Sequence, residues 1–504
     1  MPISAIAFLI LSAVIALIRS HYHLLWADEF GTATTGSIPG IAQLIHVELT
    51  KPYSPDPIGY TGLMHAVVHG FGVSAFAMRL PSMCGYLLMQ GCLFYFVRRI
   101  SSERAATFAL AFPALAGIVS YSIQARPYGV LLGLSALAML SWQTAARRDS
   151  RRTSALVILS LSLAMAVNTQ YYGVLLLIPL CAAESIRVLE RRRADVPVLV
   201  SILAGMGGLI VAVPFAKALS QFSADHQPTE VSYHFITHSY LWLMFGYDGV
   251  SVHLQRLIGV GLALFFLSLI AGFVGLRSRV ALRLSHAEAA FVLLFSAYPI
   301  LVYLLARFVT HFAESRYTQS AMIGITAIFA VLMAPLLERK TTGRIVLVSL
   351  FAAIAISGFF RVRSEKELGL STMSSLALDP VTQRSLEATA GQPIYVANAT
   401  VYFIVGYYSP SPDLRSRIRI VYSEDPKYYS ESLGDEYRQL VNGRAAGIRD
   451  IVPYEFVSKP GTEDLLLLYH NPWDWTDEAL SASHGQITYL GQVYGGDLVS
   501  VRFP

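Results

Sequence analysis

Two adjacent acidic residues near the start of the chain, Asp28 and Glu29, are the first candidates for chemistry. They follow an apolar segment and stand among aromatic residues, in the stretch His-Tyr-His-Leu-Leu-Trp-Ala-Asp-Glu-Phe. A carboxylate beside a bilayer loses part of its hydration, which makes it a better proton acceptor. This pattern predicts that Asp28 is a general base, with Glu29 orienting it or binding an acceptor. The structural alternative is that Asp28 is a helix N-cap, where Asp is favoured.

Cationic and aromatic residues elsewhere would complete the chemistry. Transfer from a phosphorylated lipid needs an acid to take the acceptor's proton and cations to neutralise the phosphate leaving group. Polar residues at membrane depth are costly and tend to line cavities. The candidates for donor phosphate binding are Arg79, Arg126, Tyr128, His311, Arg316 and Tyr317, with Lys51, Asp56 and His65 as accessory residues.

Several of these residues also have ordinary structural explanations. Arg79 and Arg126 each begin a predicted helix, where arginines commonly extend their head groups to the membrane interface. Glu314 is close enough in sequence to pair with Arg316 and cancel its charge. The two candidate tyrosines fit an interfacial aromatic belt. Contact with phosphate and these structural roles are both left open.

A histidine pair raises the question of a metal. His65 and His69 are four residues apart and therefore share one face of any helix. Together with an acid they could bind a metal ion, but the spacing fixes no third ligand. An interfacial amphipathic helix explains the pair better. We therefore expect no metal and no other cofactor.

Composition decides the broad class. Of the 504 residues, 54% are hydrophobic and only 14% are charged, whereas soluble domains carry about 25% charged residues. Long apolar runs separated by short basic clusters predict a polytopic α-helical membrane bundle, because the runs are too long for barrel strands. The net charge of +5 is modest, so nucleic acid is not an expected partner. The 3 cysteines all fall in apolar runs and offer the soluble parts neither a disulfide framework nor a metal site.

About eleven membrane-spanning helices are predicted from the apolar runs. The first lacks a basic start and a small-residue cleavage site, which favours a membrane helix over a signal peptide. The predicted spans are 3–18, 80–97, 105–122, 127–145, 153–168, 171–187, 196–219, 256–276, 288–309, 317–336 and 343–360.

Loop charge predicts the orientation. Every second connection is rich in arginine, which places those connections and the N-terminus in the cytoplasm by the positive-inside rule. The loop 19–79, with the acidic pair, then lies outside. An odd number of spans also sends the C-terminal region outside. We predict a transmembrane catalytic module at 1–361 and an extracytoplasmic domain at 362–504, in an integral membrane protein of the bacterial inner membrane.

The C-terminal region has a different pattern. Short apolar strands alternate with helical segments, which predicts a compact α/β domain without a glycine-rich phosphate loop or a catalytic motif. Asn398-Ala-Thr400 matches a glycosylation sequon, a very short motif. The predicted strands are 393–397, 417–421, 464–469, 487–493 and 498–503, and the predicted helices are 382–389, 431–449 and 476–483.

Short motifs, in their order and on their common predicted side, resemble the GT-C superfamily of membrane glycosyltransferases. The resemblance is to the branch with protein O-mannosyltransferases and the lipid A aminoarabinose transferase, and it is best over residues 1 to 145. The motifs are Trp26-Ala-Asp28-Glu29, Asp56-Pro57-Ile-Gly-Tyr60, Phe71-Gly72, Arg79-Leu80-Pro81-Ser82, Gln124-Ala-Arg126-Pro127-Tyr128 and Arg316-Tyr317.

The resemblance implies a function. Such enzymes transfer a sugar, with inversion, from a polyprenyl-phosphate donor to an acceptor hydroxyl on the outer side of the membrane, and their first-loop acid is the base. That acid corresponds to Asp28 here. Expected partners are the lipid-linked donor, membrane lipids and a glycan, lipid or protein acceptor. The alternatives are a glycolipid transporter or flippase without chemistry, and a receptor whose outer domain binds a ligand.

Overall fold

The computed structural model describes residues 1–223, 231–246, 284–423, 425, 440–444, 450–469 and 475–504. The chain divides into two compact units. The first unit comprises Met1–His21, Asp56–Ala216 and Pro228–Val362, and the second comprises Tyr22–Pro55, Lys217–Gln227 and Arg363–Pro504.

The α-helices are numbered in chain order over the described residues. They are α1 Ile3–Tyr22, α2 Ala27–Gly36, α3 Ile41–Thr50, α4 Ile58–Phe71, α5 Ala75–Ile100, α6 Glu103–Ala111, α7 Tyr128–Ala146, α8 Arg152–Thr169, α9 Leu177–Arg191, α10 Val196–Met206, α11 Gly208–Ser223, α12 His234–Phe245, α13 His286–Ser296, α14 Tyr298–Leu305, α15 Ala321–Glu338, α16 Lys340–Ser375, α17 Pro380–Ala388, α18 Ala399–Tyr408, α19 Pro412–Arg417, α20 Tyr454–Val457 and α21 Thr476–Ala482. Shorter helical turns are Phe112–Ala114, Gly117–Ile123, Tyr171–Leu176, Ala306–Thr310 and Ser315–Thr318.

Ten predicted spans can be compared with the structure. Within the described part of the chain, eight helices are long and apolar enough to cross a membrane, and two bent helix pairs could each form one more span. The pairs bend by 73° and 59°. Pro113 and Pro299, which lack an N–H for the helix ladder, lie within two residues of the breaks. Each predicted span corresponds to one of these helices or pairs, which confirms the helical bundle. The remaining prediction, 256–276, falls outside the described residues.

Small residues allow a close contact between α5 and α7. A Cβ added at Gly129 of α7 would lie 2.5 Å from the Ser82 carbonyl oxygen of α5, and one at Gly133 would lie 2.6 Å from the Gly85 carbonyl oxygen. Such glycines let two membrane helices approach backbone to backbone. The Ser82 hydroxyl also donates to the Arg126 carbonyl at 2.8 Å. This contact fixes the N-terminal end of α7.

Among its described residues, the second unit contains a six-stranded sheet with the order β3-β2-β1-β4-β6-β5. Strands β1 to β4 pair in parallel, and β6 pairs antiparallel with both β4 and β5. All five predicted strands are present, so the α/β domain is confirmed, and the short β3 is an addition to them. The strands are β1 Ile394–Val396, β2 Ile418–Tyr422, β3 Ile451–Pro453, β4 Glu463–Leu468, β5 Gln486–Val493 and β6 Gly496–Arg502.

The helices of this domain partly match the prediction. Helices α17 and α21 lie at the predicted 382–389 and 476–483, whereas most of 431–449 lies outside the described residues. Helix α18 was not predicted. It starts beside the sequon, whose Asn398 accepts a hydrogen bond from the Val401 N–H at 3.1 Å and thereby caps the helix.

Residues 22–55, which the predicted module 1–361 includes, cluster instead with the second unit. They form α2 and α3 within the predicted outer loop. The Leu25 N–H donates to the Tyr408 hydroxyl at 2.7 Å. The Asn442 side-chain amide donates to the Pro52 carbonyl at 2.9 Å. Both ends of this segment therefore contact residues of the α/β domain.

Candidate functional site

The acidic pair lies in the first turn of α2. Trp26, in an extended conformation, is the N-cap, and Asp28 is the second residue of the helix, so the N-cap alternative for Asp28 is wrong. The Glu29 side chain is fully buried, and its carboxylate accepts the Trp26 N–H at 3.4 Å. Asp28 is half-buried. Acidic residues suit this turn because the N-terminus of a helix carries partial positive charge.

In the first unit, a group of charged and phenolic residues meets at the N-terminal end of α7. We call it the tyrosine-end cluster. It consists of Asp56, Arg126, Tyr128, Glu314, Arg316 and Tyr317, and it brings together five of the residues that the sequence put forward.

Arg126 pairs with Asp56 in this cluster. Its Nη1 lies 3.4 Å from Oδ2 of Asp56, and the two side chains are only 8% and 4% exposed. The Arg126 guanidinium also lies 5.9 Å from the centre of the Tyr128 ring, within the range of a cation–π contact. The sequence suggested both charged residues but not their pairing, because 70 positions separate them and no periodicity links them.

Arg316 is the second cation. It lies in the helical turn Ser315–Thr318 just before α15, and its Nε is 2.6 Å from Glu314. This is the pairing that the sequence left open. The ring of Tyr317 lies 6.4 Å from that of Tyr128 and stacks at 4.7 Å on Tyr172. Aromatic contacts thus connect this turn to two other parts of the bundle.

Burial controls the charge state of the cluster. It raises the pKa of Tyr317 well above its ordinary value, and the nearby Tyr128 and Glu314 raise it further. Tyr317 is therefore a neutral hydrogen-bond donor at physiological pH. Burial works to lower the pKa of Arg316, but Tyr128 and Glu314 outweigh burial, so the net shift is upward and Arg316 remains a cation. Two guanidinium groups thus face two carboxylates, and an incoming phosphate would compete with those carboxylates for them.

Arg79 contacts the C-terminal end of α1. It is fully buried in α5 and donates to the Ser20 carbonyl at 3.0 Å, near the C-terminus of α1. A cation there satisfies a helix-end carbonyl and suits the negative end of the helix. It is not at the start of its helix, as predicted, because α5 begins four residues earlier with Ser74 as its N-cap. Contact of Arg79 with phosphate stays a prediction.

The remaining candidates are dispersed. His311 is exposed and has a left-handed backbone with φ of 52°. Lys51 is exposed at the end of α3. The rings of His65 and His69 lie side by side on α4, with centres 4.0 Å apart and planes tilted by 41°. Over the described ranges, no three His, Cys, Asp or Glu side chains converge in a way that could hold a metal ion.

The sequence gave no reason to single out Gln319. It is 1% exposed and directly follows the turn Ser315–Thr318 that carries Arg316. In the described part of the chain, neither polar atom of its side-chain amide has a hydrogen-bond partner. A buried amide without partners is costly. The sequence signal that could have identified Gln319 is a polar residue just before the apolar α15.

The fold and the site can now be compared with known proteins. Residues 56–217 match the family model of the dolichyl-phosphate-mannose-protein mannosyltransferases. No curated protein sequence matches the chain. The matched segment includes Asp56, Arg126 and Tyr128. Together with the fold, this match confirms the predicted resemblance to the GT-C superfamily.

Solved structures show which fold it is. The chain aligns with ArnT from Cupriavidus metallidurans in the apo state with a TM-score of 0.63, and with the same protein bound to undecaprenyl phosphate with a TM-score of 0.60. Both alignments have 13% identity and cover 98% of this chain and 97% of ArnT. The apo oligosaccharyltransferase of Archaeoglobus fulgidus is a more distant match, at TM-score 0.45 and 13% identity, covering 82% of this chain and 64% of that one. The chain thus has the ArnT fold.

Proposed function

We propose that the protein is a membrane glycosyltransferase that moves a sugar from a polyprenyl-phosphate donor to an acceptor hydroxyl, with Asp28 as the general base. The observation that carries the proposal is the tyrosine-end cluster, in a chain with the ArnT fold. It provides the buried guanidinium of Arg126 and the half-buried guanidinium of Arg316 near the N-terminus of α7, an end that favours anions. A polyprenyl phosphate is an anion attached to a membrane lipid, which is the kind of ligand that such a cluster suits.

The reaction is a single in-line displacement. The acceptor oxygen attacks the anomeric carbon as Asp28 takes its proton, and a new glycosidic C–O bond forms. The bond between the anomeric carbon and the phosphate oxygen breaks, and the phosphate carries away the electron pair. One displacement inverts the anomeric centre. Because the donor is already activated, the protein contributes positioning and charge stabilisation.

Arg126 and Arg316 hold the departing phosphate. In the structure their guanidinium groups face Asp56 and Glu314, which present the same kind of anionic oxygen that a phosphate presents. Donor binding exchanges these carboxylates for phosphate oxygens. The neutral phenol of Tyr317 and the amide of Gln319 then donate hydrogen bonds to the phosphate or to the sugar.

The setting of the reaction follows the charge pattern of the loops. The site opens to the outer side of a bacterial inner membrane, where the N-terminus is cytoplasmic and the α/β domain is extracytoplasmic. The acceptor is a hydroxyl of a glycan, a lipid or a protein.

The test is made in cells that lack the protein and express the wild type, Asp28→Asn or Asp379→Asn. The last variant is the matched control, because Asp379 caps α17 through a carboxylate oxygen and Asn caps equally well. Mass spectrometry of the envelope glycans should detect the sugar addition with the wild type and the control and lose it with Asp28→Asn. A glycan profile that is independent of the protein, or restored by Asp28→Asn, would contradict the proposal. Restoration by Asp28→Asn would favour a transporter.

A further inference from the structure

We propose that the α/β domain is the scaffold that positions the acidic helix, with Phe403 and Tyr408 of α18 acting as positioning residues for Asp28. This inference rests on the proposed function, because it gives the domain a part in placing the base. Its evidence lies within the second unit.

The first step is the attachment of α2 to α18. The ring of Phe30, two residues after Asp28, stacks on the ring of Phe403 with centroids 5.0 Å apart and planes only 2° apart. It also makes edge contacts with Tyr407 at 5.6 Å and with Tyr408 at 6.2 Å. Phe30 is 4% exposed. Aromatic pairs of this kind contribute more than their buried area alone.

A hydrogen bond fixes the start of the helix. The Leu25 N–H donates to the Tyr408 hydroxyl at 2.7 Å, one residue before the N-cap. Contacts with α18 therefore lie on both sides of Asp28 in sequence, at positions 25 and 30. They restrain the axial position of α2 and its rotation, which together decide where the carboxylate points.

The second step is the attachment of α18 to the sheet. Val401 and Val405 are 5% and 0% exposed and pack in the same core as Ile394 and Val396 of β1. In an α-helix, positions two residues apart face nearly opposite directions. Phe403 therefore faces away from this valine pair and toward α2. Tyr408 packs beside the same core as the valines, and its hydroxyl reaches Leu25 from the end of α18.

A second anchor restrains the far end of the acidic segment. The buried Asn442 amide donates to the Pro52 carbonyl at 2.9 Å. A Cβ added at Gly443 would lie 2.8 Å from the Tyr53 ring, so the two residues are in close contact. Both ends of residues 22–55 are thus attached to the α/β domain, and the helix that carries the acids lies between the attachments.

The test uses the full-length protein in lipid nanodiscs with Tyr408→Phe, Phe403→Leu and a control. Tyr408→Phe removes the acceptor of the Leu25 N–H, and Phe403→Leu removes the stacked ring. Tyr402→Phe is the matched control, since it removes a hydrogen bond from the same helix, the 3.1 Å bond to Asp450, and leaves the contacts with α2 in place.

Hydrogen exchange is the readout that does not depend on activity. The two positioning variants should speed amide exchange in residues 25–36 by about 5-fold or more. An increase of this size is expected when roughly one hydrogen bond or ring contact is lost. Exchange in β4 should stay unchanged. Wild-type exchange in residues 25–36 of both variants, or an equal increase in Tyr402→Phe, would overturn the scaffold role whatever the enzyme does.

The kinetic readout links the scaffold to the reaction. A displaced base lowers kcat by about 10-fold in the two variants, while the KM for the donor stays within about twofold, because the cations that bind the donor are untouched. Faster exchange without a change in kcat would overturn the part of the inference that concerns Asp28. If Asp28→Asn is fully active, the proposed function fails, while the exchange result still decides the scaffold.

Discussion

The two ends of α7 carry similar charges but use them differently. At its N-terminal end lies the tyrosine-end cluster, in which Arg126 meets Asp56 at 3.4 Å beside phenol rings. At its C-terminal end, about 28 Å away along the helix, lies a group that we call the basic-end network. It consists of Trp142, Gln143, Arg147, Arg152, Glu184, Arg187, Asp195 and Glu288.

In the basic-end network, arginines and carboxylates pair with one another and hold the ends of several helices together. Arg187 pairs with Glu184 at 2.5 Å and with Asp195 at 2.9 Å, and its Nη1 also donates to the Ala146 carbonyl. Asp195 in turn pairs with Arg152. The Trp142 indole donates to Glu184 at 3.1 Å. These contacts connect the ends of α7, α8, α9 and α10.

The difference separates a structural joint from a candidate binding site. In the basic-end network the cations satisfy the negative end of a helix as well as carboxylates. The tyrosine-end cluster lies at the positive end of the same helix, where an anion is favoured. It also adjoins an amide, Gln319, without hydrogen-bond partners among the described residues. Both ends contain buried arginine–carboxylate pairs. The comparison can therefore be tested by asking whether a mutation at each end lowers sugar transfer or thermal stability.

The largest effect is expected for Arg126→Gln. Removing a buried cation that binds a phosphate costs about 2–5 kcal/mol, or roughly 30-fold to several thousand-fold in sugar transfer. The thermal midpoint in nanodiscs should fall less than for the basic-end variant described next. Transfer within about threefold of the wild type would refute the binding role of this cation.

Arg187→Met should damage stability rather than catalysis. It leaves Glu184 and Asp195 buried without their shared partner, and breaking such a pair costs about 3–5 kcal/mol. The midpoint of thermal unfolding should drop, while transfer per folded molecule stays near normal. Arg193→Gln, an exposed cation near the same end, is the control and should change neither. If Arg187→Met were fully stable but lost sugar transfer, the structural role assigned to the basic-end network would be contradicted.

Gly129→Ala tests whether the close contact between α5 and α7 positions the tyrosine-end cluster. Its Cβ would press on the Ser82 backbone of α5, which costs about 1–3 kcal/mol of unfolding free energy. Transfer should fall as well, because Arg126 precedes this contact by three residues. Gly91→Ala on α5 is the control, since no atom lies within 4 Å of its added Cβ. Equal stability and equal transfer in the two alanine variants would show that the close approach of α5 and α7 does not position the cluster.

The smallest effect is a pH dependence at the basic end. Burial works to raise the pKa of Asp195, but its hydrogen bond and charge attraction to Arg187 outweigh burial, so the pKa is lowered in the folded protein. A lowered folded pKa means that the stabilisation is present above the ordinary aspartate pKa, about 4, and is lost as pH falls below it. Thermal midpoints measured from pH 6 to pH 3 should show this loss, and Asp195→Asn should flatten it. Parallel curves for the two proteins would contradict the assignment.

Local patterns predicted much of this structure. Apolar runs and arginine-rich connections located the helices, since both are read over a short window of sequence. Alternating apolar residues located the strands of the α/β domain. Helix α18 was missed because Thr400 to Tyr408 is rich in β-branched and aromatic residues, which favour strands. The capping Asn398 was the opposing signal.

Contacts between residues far apart in the sequence could not be predicted from these local patterns. The Glu314–Arg316 pair could be anticipated because the residues are two positions apart. The Leu25–Tyr408 bond joins residues 383 positions apart, and no periodicity encodes it. The attachment of the acidic helix to the α/β domain therefore emerged only from the structure.

Binding of undecaprenyl phosphate, measured by native mass spectrometry, tests most directly whether one end of α7 is a phosphate site. The wild type, Arg187→Met and Asp28→Asn should bind this lipid with equal affinity, because neither the basic-end network nor Asp28 holds the phosphate. Arg126→Gln and Arg316→Gln should each weaken binding by 10-fold or more. Unchanged binding in both arginine variants, or a loss confined to Arg187→Met, would contradict the account.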